Sequence, residues 1–83
     1  MPVTPVELLI VDDDAIVCAW LADTLADTEF RVAGDAPSGA AALELLDRRR
    51  IDLLLVEFQL QDENGLDLVR GLRSGGRQTP AAA

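Results

Sequence analysis

The sequence predicts an α/β fold built on a parallel sheet, and three observations carry that expectation. Two short apolar runs, Leu8-Leu9-Ile10-Val11 and Leu53-Leu54-Leu55-Val56, are too short for helices and too uniformly apolar for strands with one wet face. They read as strands buried on both faces, which is the environment of a parallel sheet. Helical periodicity lies between and after them, and the order β-α-β-α-β-α calls for right-handed crossovers with helices on the sheet faces.

Each element follows in turn. After Asp12-Asp13-Asp14, the stretch Ala15 to Asp27 sets Val17, Trp20, Leu21, Thr24 and Leu25 at helical spacing and predicts a first helix with that stripe toward the sheet. Phe30 to Ala33 alternates and ends at Gly34, a second strand. Ser38 is placed to cap a helix running to about Arg50, with Ala42, Leu43 and Leu46 inward. A third strand runs to Val56, ending at Glu57 as the first ended at Asp12. Asn64 can cap a third helix carrying Val69 and Leu72, which stops at Ser74-Gly75-Gly76. Ala81-Ala82-Ala83 reads as a tail.

Length and charge narrow the chemistry. Eighty-three residues allow one small domain, and 49% hydrophobic content is too high for a disordered chain. The net charge is -8, and the basic residues are all arginine. Such a surface repels a phosphate backbone, so direct nucleic-acid binding is not expected, and Arg48-Arg49-Arg50 is read as complementing a helix end. With no histidine and no lysine, carboxylates are left to do any chemistry. Cys18 has no partner for a disulfide and is expected to pack a helix. No stretch has the length of a signal peptide or membrane span, which predicts a cytoplasmic protein with no membrane partner.

In an open parallel sheet, ligands collect beyond the carboxyl ends of the strands. Asp12, Asp13 and Glu57 belong there. Three carboxylates crowded together are relieved by taking up protons or by a cation, and magnesium suits oxygen donors, taking six at about 2.0–2.1 Å with several of them water. The plainer alternative is that the aspartate triplet caps the first helix, a task needing only one of the three.

These segments together resemble the receiver domain of two-component response regulators. The carriers are Leu8 to Asp14, Ser38 to Leu46, Asp52 to Glu57 and Leu60 to Leu66, with the likeness running from Glu7 to Pro80. The stretch Asn64 to Arg70 with Gly76 to Thr79 is similar to receivers of the citrate and malate sensing branch. The resemblance implies a flavodoxin-like fold of three layers and βα repeats with strand order 2-1-3-4-5, of which the first three βα units are present. It also implies a histidine kinase that donates a phosphoryl group to an aspartate at the position of Glu57. By the same match Asp12 and Asp13 hold magnesium, Gln59 supplies a backbone carbonyl, and Glu57 borders the metal.

Three departures accompany the likeness. Glu57 replaces the acceptor aspartate and carries its carboxylate one carbon-carbon bond, ~1.5 Å, further out. Gln61 stands where the family usually has proline, which loosens the loop. The sequence ends where the family would begin its fourth strand, without the family's switch hydroxyl and lysine. The expectation is a partial receiver over residues 1–83, with no output domain and no enzymatic activity, unable to accept phosphate. Its partners are a sensor kinase or another receiver or output protein, and the third strand is an open edge inviting self-association. Two alternatives stand beside it: a gene remnant or fragment of a longer regulator, and a haloacid-dehalogenase-type phosphatase using Asp12 as nucleophile and Asp14 as acid.

Overall fold

A computed structural model describes residues 4–57, 59, 60, 64–77 and 79–82. The elements are β1 (Val6–Val11), α1 (Ala15–Leu25), β2 (Phe30–Ala36), α2 (Gly39–Arg48), β3 (Leu53–Val56), α3 (Gly65–Ser74) and β4 (Ala81–Ala82). The sheet order is β2-β1-β3-β4 and every pair is parallel, which is the parallel sheet that the residue pattern predicts in the flavodoxin-like order that the resemblance implies.

The apolar runs are buried on both faces because alternate residues serve different layers. Leu9, Val11, Leu54 and Val56 join Ala42 of α2 and Leu68 and Leu72 of α3 in one core. Leu8 and Ile10 join Cys18 of α1, with Leu21, Leu25, Val32, Leu53 and Leu55 packed around them, in the other. The sheet thus separates α2 and α3 on one side from α1 on the other. Each fully buried leucine contributes roughly 1.5–3 kcal/mol relative to exposure, so the strands with a core on both faces carry much of the stability.

Helix starts follow their caps. Asp14 accepts the amides of Ile16 and Val17 at 2.9 and 3.4 Å, Ser38 that of Ala41 at 3.2 Å, and Asn64 that of Leu66 at 2.8 Å. Each satisfies an amide that the first helical turn leaves unpaired.

Several expectations need correction. β2 continues past Gly34 to Ala36 because its pairing with β1 shifts between Leu8 and Leu9, setting Gly34 opposite Leu9 and carrying the ladder on to Val11. α1 stops at Leu25, short of Asp27, where the backbone turns left-handed with φ 65°. The inward stripe of α1 is Cys18, Leu21 and Leu25, whereas Trp20 is 62% exposed. Leu43 is likewise 40% exposed, and Leu45 takes the inward place beside Leu46. α2 ends at Arg48 and Arg49 is already extended.

The alanine tail is also not a tail. Ala81 and Ala82 pair in parallel with Leu54 and Leu55, and the Leu54 amide donates to the Pro80 carbonyl at 2.8 Å. The structure therefore holds three βα units and the opening of a fourth strand, and β3 is no open edge along its middle. Alanine is a weak strand former and two residues carry no periodicity, so nothing in the pattern marks them.

Candidate functional site

Parallel strands held in register end together. Val11 pairs with Ala36 on one side and Val56 on the other. Immediately past these pairs, the Asp12 amide donates to the Ala36 carbonyl at 2.9 Å and the Glu57 amide to the Val11 carbonyl at 2.8 Å. Asp12 and Glu57 therefore leave the sheet side by side at one rim, with Asp13 next in the chain.

The triplet divides its labour. Asp12 is 9% exposed and its Oδ1 accepts the Asp14 amide at 2.9 Å, closing a tight side-chain turn. Asp14 is the N-cap of α1. Its carboxylate stands there as an acceptor for helix amides, which takes it away from the proton-donor role that a phosphatase reading requires. Asp13 is exposed, and among the described residues nothing pairs with its carboxylate. Capping of α1 thus uses one aspartate, Asp14, and leaves Asp12 and Asp13 outside the cap.

Glu57 is exposed and its Oε1 accepts the Gln59 amide at 3.2 Å, so the side chain bends back over its own loop. Gln59 forms a bridge to Asn64, which closes the loop between β3 and α3. Gln61 lies outside the described residues.

Two residues of the rim escaped the sequence reading. Gly65 sits so close behind the end of β3 that a Cβ there would overlap the Glu57 carbonyl and press on the Val56 side chain. Only glycine lets α3 start at this distance from the rim, and the Asn-Gly pair before a helix was the available signal. Asp35 is opposite Ile10 in the ladder, facing α1. Burial pushes the Cys18 thiol up to about 11, and the nearby charges of Asp35, Asp12 and Asp14 add to it. Cys18 is therefore a neutral packing group under an acidic rim, consistent with its Sγ lying 3.8 Å from the Asp12 carbonyl.

The donor set is all oxygen, the kind that magnesium takes. Among the described residues, however, no three acidic side chains come together as a ready metal cage. Asp12 and Asp13 fit such an ion in chemical type, with water completing its shell.

Residues 8–83 match the response regulator receiver domain. The chain belongs to that family. This receiver is 32% identical over 90% of its length to a protein-glutamate methylesterase/protein-glutamine glutaminase of Nocardioides sp., covering 21% of that protein. It is 36% identical over 83% of its length to the heme response regulator HssR of Staphylococcus aureus, covering 30% of that protein. The solution structure of the Erythrobacter litoralis PhyR receiver domain superimposes with a TM-score of 0.78 at 26% identity, over 93% of this chain and 60% of that one. The receiver thus spans less than a third of these curated relatives. The match is to the receiver family as a whole, without resolving a branch within it. No helix among the described residues is long and apolar enough to cross a membrane.

Proposed function

We propose that this receiver is a cytoplasmic signalling module read through protein contact, and that it does not accept a phosphoryl group. The observation that carries this reading is Glu57. It stands at the end of β3, beside Asp12, with a side chain one carbon longer than aspartate and turned back onto the Gln59 amide. In-line transfer needs the nucleophile placed accurately, and an error of about 1 Å costs about 10²-fold.

In this reading Asp12 and Asp13 hold a magnesium ion, with the Gln59 carbonyl and Glu57 at its margin. When bound, the ion neutralises charge on the rim. Asp12 keeps its orientation through the Asp14 amide, and Glu57 keeps a carboxylate at the acceptor position, folded onto the Gln59 amide, in place of one free to attack a phosphoryl group. The contacts are with a sensor kinase or with another receiver or output protein, and no catalytic turnover is assigned.

The test is intact mass after incubation with magnesium and a small acyl phosphate, beside a receiver with an aspartate acceptor as positive control. The mass of this chain stays unchanged while the control gains a phosphoryl group. A phosphorylated Glu57 peptide contradicts the reading.

A further inference from the structure

Positive charge gathers at the amino end of β2. A cavity of about 460 Å³ opens there, lined by Arg31, Arg49 and Arg50 together with Glu7. The lining carries two positive charges in excess, in a chain whose net charge is -8. The arginines come from separate elements, one from β2 and two from the connection between α2 and β3. Of Arg48-Arg49-Arg50, only Arg48 lies in the last turn of α2. Arg49 and Arg50 have left the helix and donate away from it, Arg49 from Nη1 to the Ala33 carbonyl and Arg50 from Nε to Asp52 Oδ1 at 3.2 Å. Complementing the helix end therefore accounts for Arg48 and leaves the other two for the cavity.

Each guanidinium is tethered at one point, since the Nε of Arg31 likewise lies 3.8 Å from Glu7 Oε1. Among the described residues, the terminal nitrogens of Arg31 and Arg50, and Nη2 of Arg49, hold no hydrogen bond. A tethered side chain has given up part of its freedom before a ligand arrives. Its remaining N–H groups present a fork that fits an oxyanion.

We infer that this cavity binds a small organic phosphate, its phosphoryl group taken by Arg31, Arg49 and Arg50 and its organic part by Pro5, Val32 and Ala33, which also line the cavity. Three forks suit a tetrahedral dianion with three free oxygens, whereas a carboxylate is satisfied by one. The volume exceeds what a bare phosphate fills and falls among small-molecule sites, roughly 300–1,000 Å³. Charge also selects for size. A long polyanion would meet the acidic remainder of the chain, while a small one meets the local field alone, because charges are screened beyond about 8–10 Å at ordinary salt. The cavity is separate from the acidic rim. Arg31 pairs with Glu7, at the opposite end of β1 from Asp12 and about 16 Å away at the rise of a strand, and β1 and β3 stand between β2 and β4.

The test titrates phenyl phosphate, inorganic phosphate and benzoate into isotopically labelled chain in magnesium-free buffer. Phenyl phosphate shifts the amides of Arg31 to Ala33 and of Arg49 and Arg50 together and saturably, binds at least about tenfold tighter than either of the others, and weakens with added salt. Arg49→Gln lowers the affinity at least about tenfold, while Arg70→Gln, on α3, leaves it unchanged. Where circular dichroism shows that Arg49→Gln does not fold, Arg31→Gln, whose side chain is 69% exposed, carries the same expectation. Absence of saturable shifts, shifts centred elsewhere on the molecule, equal binding of benzoate or of inorganic phosphate, or full affinity in the folded arginine variant overturns the inference.

Discussion

Asp52 and Glu7 clasp each other through two bonds at the amino end of the sheet. The Asp52 Oδ2 accepts the Glu7 amide at 2.9 Å, and the Asp52 amide donates to the Glu7 carbonyl at 2.8 Å. The next residues, Leu8 and Leu53, begin the β1–β3 ladder. The clasp therefore sets the register that brings Asp12 and Glu57 together at the other end, because a slip of one residue would exchange the two cores.

This clasp is pH-dependent. The Glu7 amide, then Arg50 through its Nε at 3.2 Å, hold the Asp52 carboxyl below its ordinary 3.8. A depressed folded value contributes stability above the unfolded value that is lost as pH falls through the folded one. Thermal melts taken downward from about pH 5 should show this loss in the parent, and Asp52→Ala should lower the midpoint at neutral pH and flatten the acid limb. An unchanged acid limb in the variant assigns it to other carboxylates.

The Cys18 thiol gives the opposite sign. Its folded value of about 11 lies above the ordinary 9.0, so its contribution is complete below pH 9.0 and is lost as pH rises toward 11. Alkylation at pH 8 should be slow in the folded chain and rapid in denaturant. Equal rates would place the thiol outside the core.

Gly65→Ala tests the approach of α3 to the rim. The added methyl meets backbone at Glu57, which cannot rotate aside as a side chain could. The expected cost is about 1–3 kcal/mol in chemical denaturation, accompanied by movement of the Glu57 and Gln59 amide resonances. A neutral substitution would mean that the loop has room.

The two faces of the sheet should respond unequally to truncation. Leu9 is fully buried under α2 and α3, while Leu55 is half-buried on the α1 side. Leu9→Ala should cost about 2–5 kcal/mol, and Leu55→Ala clearly less, because part of its surface is already wet. Equal losses would show that Leu55 is as tightly packed as Leu9.

Much of this arrangement was legible in the residues. Leu8–Val11 and Leu53–Val56 announce buried strands because runs this short and uniformly apolar suit a strand covered on both faces, and Ser38 and Asn64 announce helix starts because their side chains replace missing amide partners. The rim was legible for the same reason, since strands of like pattern ended at Asp12 and Glu57. Trp20 and Leu43 were misassigned because periodicity marks a stripe without saying how much of it the sheet can cover. β4 was missed because Ala81 and Ala82 owe their conformation to β3 and not to their own preference. Gly65 and Asp35 were missed because closeness of backbone to backbone, and of a charge to a buried thiol, arises only in three dimensions.

Asp12 and Glu57 leave the sheet at one rim, with Asp13 following Asp12 in the chain, and we propose that this rim takes a divalent cation. Titrating magnesium into isotopically labelled chain and following amide resonances tests it most directly. The amides from Asp12 to Asp14 and from Glu57 to Gln59 should shift together with one affinity, and Asp13→Asn should remove both sets of shifts. Shifts scattered over the molecule, or confined to one of the two strand ends, would contradict it.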